Sequence, residues 1–85
     1  MRIELFGIAR ARAGTGAVEV DAATLGAALH ALQEACPGLG PDVLVDGRLA
    51  DGYLVSLNGA AFVSDAATPL DPGDSLLILG SQAGG

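Results

Sequence analysis

Hydrophobic and polar positions alternate at the start of the chain. In Arg2-Ile3-Glu4-Leu5-Phe6, Ile3 and Leu5 fall on one side of an extended segment, and Arg2, Glu4 and Phe6 on the other. That period of two marks a strand with one buried face. A turn region, Arg10 to Gly16, is expected to close a hairpin onto Ala17-Val18-Glu19-Val20, with Val18 and Val20 inward. After Asp21-Ala22-Ala23 the period becomes helical. Thr24 is a good N-cap, because its hydroxyl can accept from a free first-turn amide. Leu25, Ala28, Leu29, Leu32 and Ala35 then form one apolar stripe. Pro37-Gly38 stops the helix near Cys36.

Residues 39–53 have no regular period. Val43, Leu44, Val45 and Leu49 imply that part of this stretch packs down, while Asp42, Asp46 and Asp51 leave an acidic loop for solvent or a basic partner. The aspartates lack the tight spacing of a calcium loop. Tyr53 to Leu57 reads as a third strand, Asn58-Gly59 as a tight hairpin turn tolerant of positive φ, and Ala60 to Val63 as the return strand. Leu70 is expected to tuck into the core before the turn Asp71-Pro72-Gly73-Asp74. In the last strand, Ser75 to Leu79, Leu76 and Ile78 point one way and Leu77 and Leu79 the other. Large apolar residues on both sides place this strand centrally, beside the first. The order predicts an α+β roll, a mixed sheet of four to five strands packed on one main helix. Phe6, Leu77 and Leu79 then share the uncovered face, an apolar docking surface.

Beyond Leu79 lie only Gly80, Ser81, Gln82, Ala83, Gly84 and Gly85. The sequence thus divides into a domain, 1–79, and a flexible tail, 80–85, slender enough to thread a narrow channel.

Composition narrows the function classes. With 85 residues, 51% hydrophobic and 4% aromatic, the chain builds one modest core of Leu, Val, Ile and Ala. Ten acidic residues against four arginines, with no lysine, give a net charge of −6. That balance argues against nucleic acid and anionic membrane surfaces, which need clustered cations. The single cysteine, Cys36, is expected to be a small buried hydrophobe, and His30 a solvated residue on the polar side of the helix. Gly14-Thr15-Gly16 lacks the later glycine and helix start of a phosphate loop. No metal cluster and no nucleophile–base pair stands out. One cysteine and the absence of a signal-peptide pattern lead to the expectation of a cytoplasmic protein.

The ordered set of Ile3-Glu4-Leu5-Phe6, Thr24-Leu25, Val55-Ser56-Leu57-Asn58-Gly59, Leu70-Asp71-Pro72-Gly73-Asp74 and Gly84-Gly85 resembles the ubiquitin-like β-grasp sulfur carriers of the MoaD/ThiS type. The length and the 39–53 insertion look more like MoaD, the small subunit of molybdopterin synthase. The tail Ser81-Gln82-Ala83 departs from the proline-containing tail common in MoaD. Thiamin, cysteine and secondary-metabolite sulfur carriers share the same shape.

The resemblance implies a carried substrate rather than an enzyme. An E1-like adenylyltransferase of the MoeB/ThiF type, using ATP-Mg, would adenylate the Gly85 carboxylate. A persulfide-derived sulfur would displace AMP and leave a C-terminal thiocarboxylate. The tail, Gly80 to Gly85, would then enter a sulfur-accepting enzyme such as the molybdopterin synthase large subunit. No cofactor is expected on the carrier itself. A ubiquitin-like modifier joined to other proteins through Gly85 is the alternative, and a β-grasp interaction module with an incidental tail is a third reading.

Overall fold

The computed structural model describes residues 1–81. Strand β1 (Arg2–Leu5) leads into a helix, α1 (Gly7–Ala13), then β2 (Ala17–Glu19) and the main helix α2 (Leu25–Ala35). A 3₁₀ turn (Pro37–Leu39) precedes β3 (Leu44–Val45), β4 (Arg48–Leu49), β5 (Tyr53–Leu57), β6 (Ala61–Val63) and β7 (Ser75–Gly80). Five strands form one mixed sheet in the order β2-β1-β7-β5-β6. β1 and β7 run parallel, with Ile3 opposite Leu76 and Leu5 opposite Ile78, and the other pairs are antiparallel. The β-grasp expectation holds, with two helices and five sheet strands.

The core lies between the sheet and α2. Ile3, Leu76 and Ile78 on the sheet, and Ala28 and Leu32 on the helix, have no exposed surface, and Leu5 and Leu25 almost none. The Thr24 hydroxyl caps α2 by accepting from the Ala27 amide at 3.2 Å. Leu25, Ala28, Leu29 and Leu32 face the core as expected, but Ala35 is exposed. Cys36 at the C-cap is the buried residue instead. Leu70 is buried, as expected.

Ile78 lies in the middle of the central strand with no exposed surface. Ile78→Ala removes buried methyl groups and leaves a cavity, which is expected to destabilise the fold by about 2–5 kcal/mol. For a domain this size, thermal unfolding should then shift down by roughly 10 °C or more.

Two parts of the chain depart from the sequence expectation. The turn region placed at residues 10–16 is largely the helix α1. Alanine and arginine are strong helix formers, but Ala9 is this short helix's only buried residue, so no apolar stripe advertises it. It ends at Gly14, whose φ of 76° lets its amide bond back to the Arg10 carbonyl at 3.1 Å. The stretch 39–53, expected to be irregular, contains the hairpin β3–β4 turning at Asp46-Gly47, with φ of 52° and 73°. Its turn is pinned to α2 by the Gly47 amide, which donates to Gln33 Oε1 at 2.7 Å. Val43 and Leu44 anchor it in the core.

The turn before β7 is a hydrogen-bonded clasp. Asn58 Nδ2 donates to Asp74 Oδ1 at 3.0 Å, Asn58 Oδ1 accepts from the Ser75 amide at 2.8 Å, and the Asp71 amide donates to Asp74 Oδ2 at 2.8 Å. The Asn58 side chain, and then the Asp71 amide, hold the Asp74 carboxyl below its usual range. A depressed folded value means that the unfolded chain takes up this proton first. The stability Asp74 contributes is therefore fully present above about pH 3.9 and is lost as pH falls through its lowered folded value. Asp74→Asn is expected to flatten the acid limb of a plot of urea midpoint against pH. An unchanged acid limb would show that the clasp contributes nothing.

Candidate functional site

Alternation along the strands sorts the sheet into two faces. Leu76 and Ile78 of β7 point to α2, so Leu77 and Leu79 point outward, each half-buried. Across the ladder, Leu77 lies opposite Ser56 and Leu79 opposite Leu54 of β5, while Ser56 lies opposite Phe62 of β6. On the other side Leu77 neighbours Glu4 of β1. Phe6 follows β1 in an extended conformation (φ −129°, ψ 155°), which continues the alternation and sets it on this same face. Its amide donates to the Ile78 carbonyl at 3.1 Å, fixing it beside the end of β7.

The structure thus brings the three expected docking residues, Phe6, Leu77 and Leu79, onto one face. It adds two that the sequence reading passed over, Leu54 and Phe62. Phe62 is 64% exposed, more so than Phe6 at 41%. Its signal was available in Ala61-Phe62-Val63: Val63 packs against the core, so its neighbour must point away. The face is bordered by the exposed ion pair between Arg2 Nε and Glu4 Oε1, 3.0 Å apart. Such a pair contributes little to stability.

The apolar face runs directly to the root of the tail. β7 continues through Gly80, which pairs with Tyr53, and the Ser81 amide donates to the Gly52 carbonyl at 2.8 Å. Gly80, read from sequence as the first tail residue, is therefore strand, and Ser81 is tied to the start of β5. Gln82, Ala83, Gly84 and Gly85 lie outside the described residues. A groove of about 390 Å³ adjoins this root, with Leu25, Arg48, Leu49, Asp51, Tyr53 and Ser81 among its lining residues.

The other candidate chemistry falls where the sequence placed it. Cys36 is buried, and desolvation pushes its thiol above its usual range. A thiol in that setting stays protonated and unreactive. His30 is exposed on α2, with Nε2 3.7 Å from the Glu34 carboxylate one turn on. Among the described residues, no cluster of three or more His, Cys, Asp or Glu is placed to hold a metal ion, and no helix is long and apolar enough to cross a membrane.

No family profile matches the chain, and no curated protein sequence does. Solved structures do. SAMP1 from Haloferax volcanii is 33% identical, with 99% of this chain and 97% of that one covered and a TM-score of 0.84. A second structure of the H. volcanii small archaeal modifier protein 1 is 36% identical over 91% of both chains, with a TM-score of 0.76. The BexX/CysO complex of Amycolatopsis orientalis shares the fold at 23% identity, covering 99% of this chain and 98% of that one, with a TM-score of 0.79. The full-length match at this identity, together with the β-grasp topology and the apolar sheet face beside the β7 exit, places the chain in the MoaD/ThiS-like family of ubiquitin-related sulfur carriers and modifiers.

Proposed function

We propose that the chain carries sulfur as a thiocarboxylate on Gly85 and acts as a substrate rather than a catalyst. An ionised carboxylate is a poor electrophile, so an E1-like adenylyltransferase first joins it to AMP, using ATP-Mg that the partner binds. A persulfide sulfur then attacks the acyl carbon, the C–O bond to AMP breaks, and AMP leaves. Cleavage of the persulfide S–S bond by a reductant or second thiol frees the thiocarboxylate. The observation that supports this reading best is the continuity of the apolar face with the β7 exit: Phe6, Leu54, Leu77, Leu79 and Phe62 give a partner a surface to hold while it reads the tail. The small residues Ala83, Gly84 and Gly85 then pass through a channel that larger side chains would block. CysO, in its complex with BexX, shares this fold.

Molybdopterin synthesis is the favoured destination, because the 39–53 insertion, which folds as β3–β4, resembles MoaD more than the shorter ThiS. Its synthase large subunit would be the acceptor, and the cytoplasm the compartment. A second reading has its own support: two solved structures, at 33% and 36% identity, are of a small archaeal modifier protein. In that role Gly85 would end in an isopeptide bond to a lysine of another protein.

Incubation with the cognate E1-like enzyme, ATP-Mg and a sulfur donor, followed by intact-mass measurement, separates the two. Replacement of one oxygen by sulfur at the C-terminus supports the carrier. Covalent adducts on other proteins support the modifier. No change with an active enzyme would overturn both.

A further inference from the structure

We propose that Asn58-Gly59 is a self-modification site: the Gly59 backbone nitrogen attacks the Asn58 side-chain carbonyl when the turn opens, and the clasp on Asp74 and Ser75 holds the reaction off while the fold is closed. Asn58 is the only asparagine in the sequence. In the reaction, the Gly59 nitrogen gives its proton to solvent base and bonds to Asn58 Cγ, closing a cyclic imide. The Cγ–Nδ2 bond breaks, and the side-chain nitrogen leaves as ammonia. Water then opens the ring. Attack at Cγ restores the ordinary main chain with an aspartate. Attack at the main-chain carbonyl carbon leaves the chain running through the side chain, as isoaspartate. Water and hydroxide are the only co-reactants.

The nucleophile is uncrowded. Asn58 and Gly59 are both exposed, and among the described residues nothing beyond its chain neighbours lies within 4 Å of where a Gly59 Cβ would stand. Glycine adds no side chain of its own to shield the nitrogen. The electrophile, by contrast, is held. Asn58 Oδ1 accepts from the Ser75 amide at 2.8 Å, and Nδ2 donates to Asp74 Oδ1 at 3.0 Å. The Asn58 main-chain amide donates to the Ser75 carbonyl at 2.8 Å. Both polar atoms of the side-chain amide are thus fixed on the segment that begins β7, and Cγ cannot rotate onto the Gly59 nitrogen without breaking both bonds. The products cannot close the clasp again. An aspartate at position 58 puts a carboxylate oxygen where Nδ2 donated, against the Asp74 carboxylate, and like charges repel. Isoaspartate lengthens the turn by one main-chain atom. Turn length sets the register of β6 on β5, in which Phe62 lies opposite Ser56. Because ammonia is lost, the change runs one way, and copies that react while this turn is open stay marked.

The test needs no partner enzyme. The full chain is incubated at mildly alkaline pH in native buffer and in urea. Intact mass is followed for replacement of the side-chain amino group by hydroxyl, and peptide fragmentation places the change. Two hydrogen bonds of ordinary strength set the native rate at least about tenfold below the rate in urea. Asp74→Ala removes one of the two, and in native buffer should react roughly fivefold faster than the original chain. Asn58→Asp, which reproduces one product, should unfold at a lower urea concentration than the original. Equal rates in native buffer and urea, no reaction in urea, or a mass gain placed away from residue 58 would overturn the proposal. A folded Asp74→Ala that reacts no faster would remove the clasp as the guard, and an unchanged urea midpoint for Asn58→Asp would show that the clasp closes again. The native-to-urea comparison needs no variant, so it stands even where Asp74→Ala does not fold.

Discussion

Removal of Gly85 is expected to abolish the proposed thiocarboxylate formation by the cognate E1-like enzyme, while the melting temperature stays within about 1–2 °C of the original. The expectation follows from the described contacts, which stop short of Gly85 along the chain. The last interaction between fold and tail among the described residues is the Ser81 amide on the Gly52 carbonyl, four positions before Gly85. Stability resides in contacts such as those of Leu76 and Ile78, which have no exposed surface. Shortening the chain by one residue moves the carboxylate by about 3.3 Å, and a displacement of that size at a reacting centre costs at least a hundredfold in rate. Gly84→Phe should act the same way by steric exclusion while keeping the length. The checks are intact mass after incubation with enzyme, ATP-Mg and sulfur donor, and a thermal melt of each variant. A large fall in melting temperature would make the tail structural; normal sulfur loading would remove Gly85 as the acceptor.

Phe62→Ser weakens binding to the adenylyltransferase by about tenfold or more, and Leu77→Asp by more again, if the outer sheet face is the docking surface. Phe62 is the cleaner probe. Its side chain is mostly in solvent on a short edge strand, so truncation takes little from the folded domain. Leu77 lies between Glu4 and Ser56 at the centre of the face. An aspartate there meets Glu4 as a like charge across the strands and desolvates when a partner closes over it. It will therefore lower stability as well, and only a binding loss larger than the stability loss counts for the proposal. Calorimetric titration with the enzyme, beside urea unfolding of each variant, makes the comparison. Unchanged affinity for Phe62→Ser and Leu77→Asp together would move the docking surface elsewhere.

Much of the fold was legible because single residues carried a physical requirement. Asn58-Gly59 turns with both φ positive, at 57° and 68°, and Thr24 caps the helix it precedes. Leu76 and Ile78 alternate into the core from a strand apolar on both sides. What stayed hidden lacked a period to read. α1 buries one alanine, so a seven-residue helix left no stripe. β3 and β4 are two residues each, too short to alternate, although Asp46-Gly47 has the same turn chemistry as Asn58-Gly59. The site was half legible. Phe6, Leu77 and Leu79 followed from strand alternation, but Leu54 and Phe62 needed the β5–β6 and β5–β7 registers to bring them alongside. The anchoring of Ser81 depends on Gly52, which no local pattern connects to it.

The strand at the middle of the sheet is also the last described element of the chain, and this bears on how the protein is made. β7 is hydrogen-bonded to β1 on one side and to β5 on the other. Until residues 75–80 have left the ribosome, β1–β2 and β5–β6 are separate strand pairs with no strand to join them, and an isolated two-stranded pair is marginal in water. Such long-range closure is slow and comes late. A product truncated before β7 cannot complete the sheet, and its exposed apolar surface marks it for degradation. Folding therefore acts as a proofreading step: a chain that presents the complete apolar sheet face has been synthesised at least as far as Gly80, the last residue of β7.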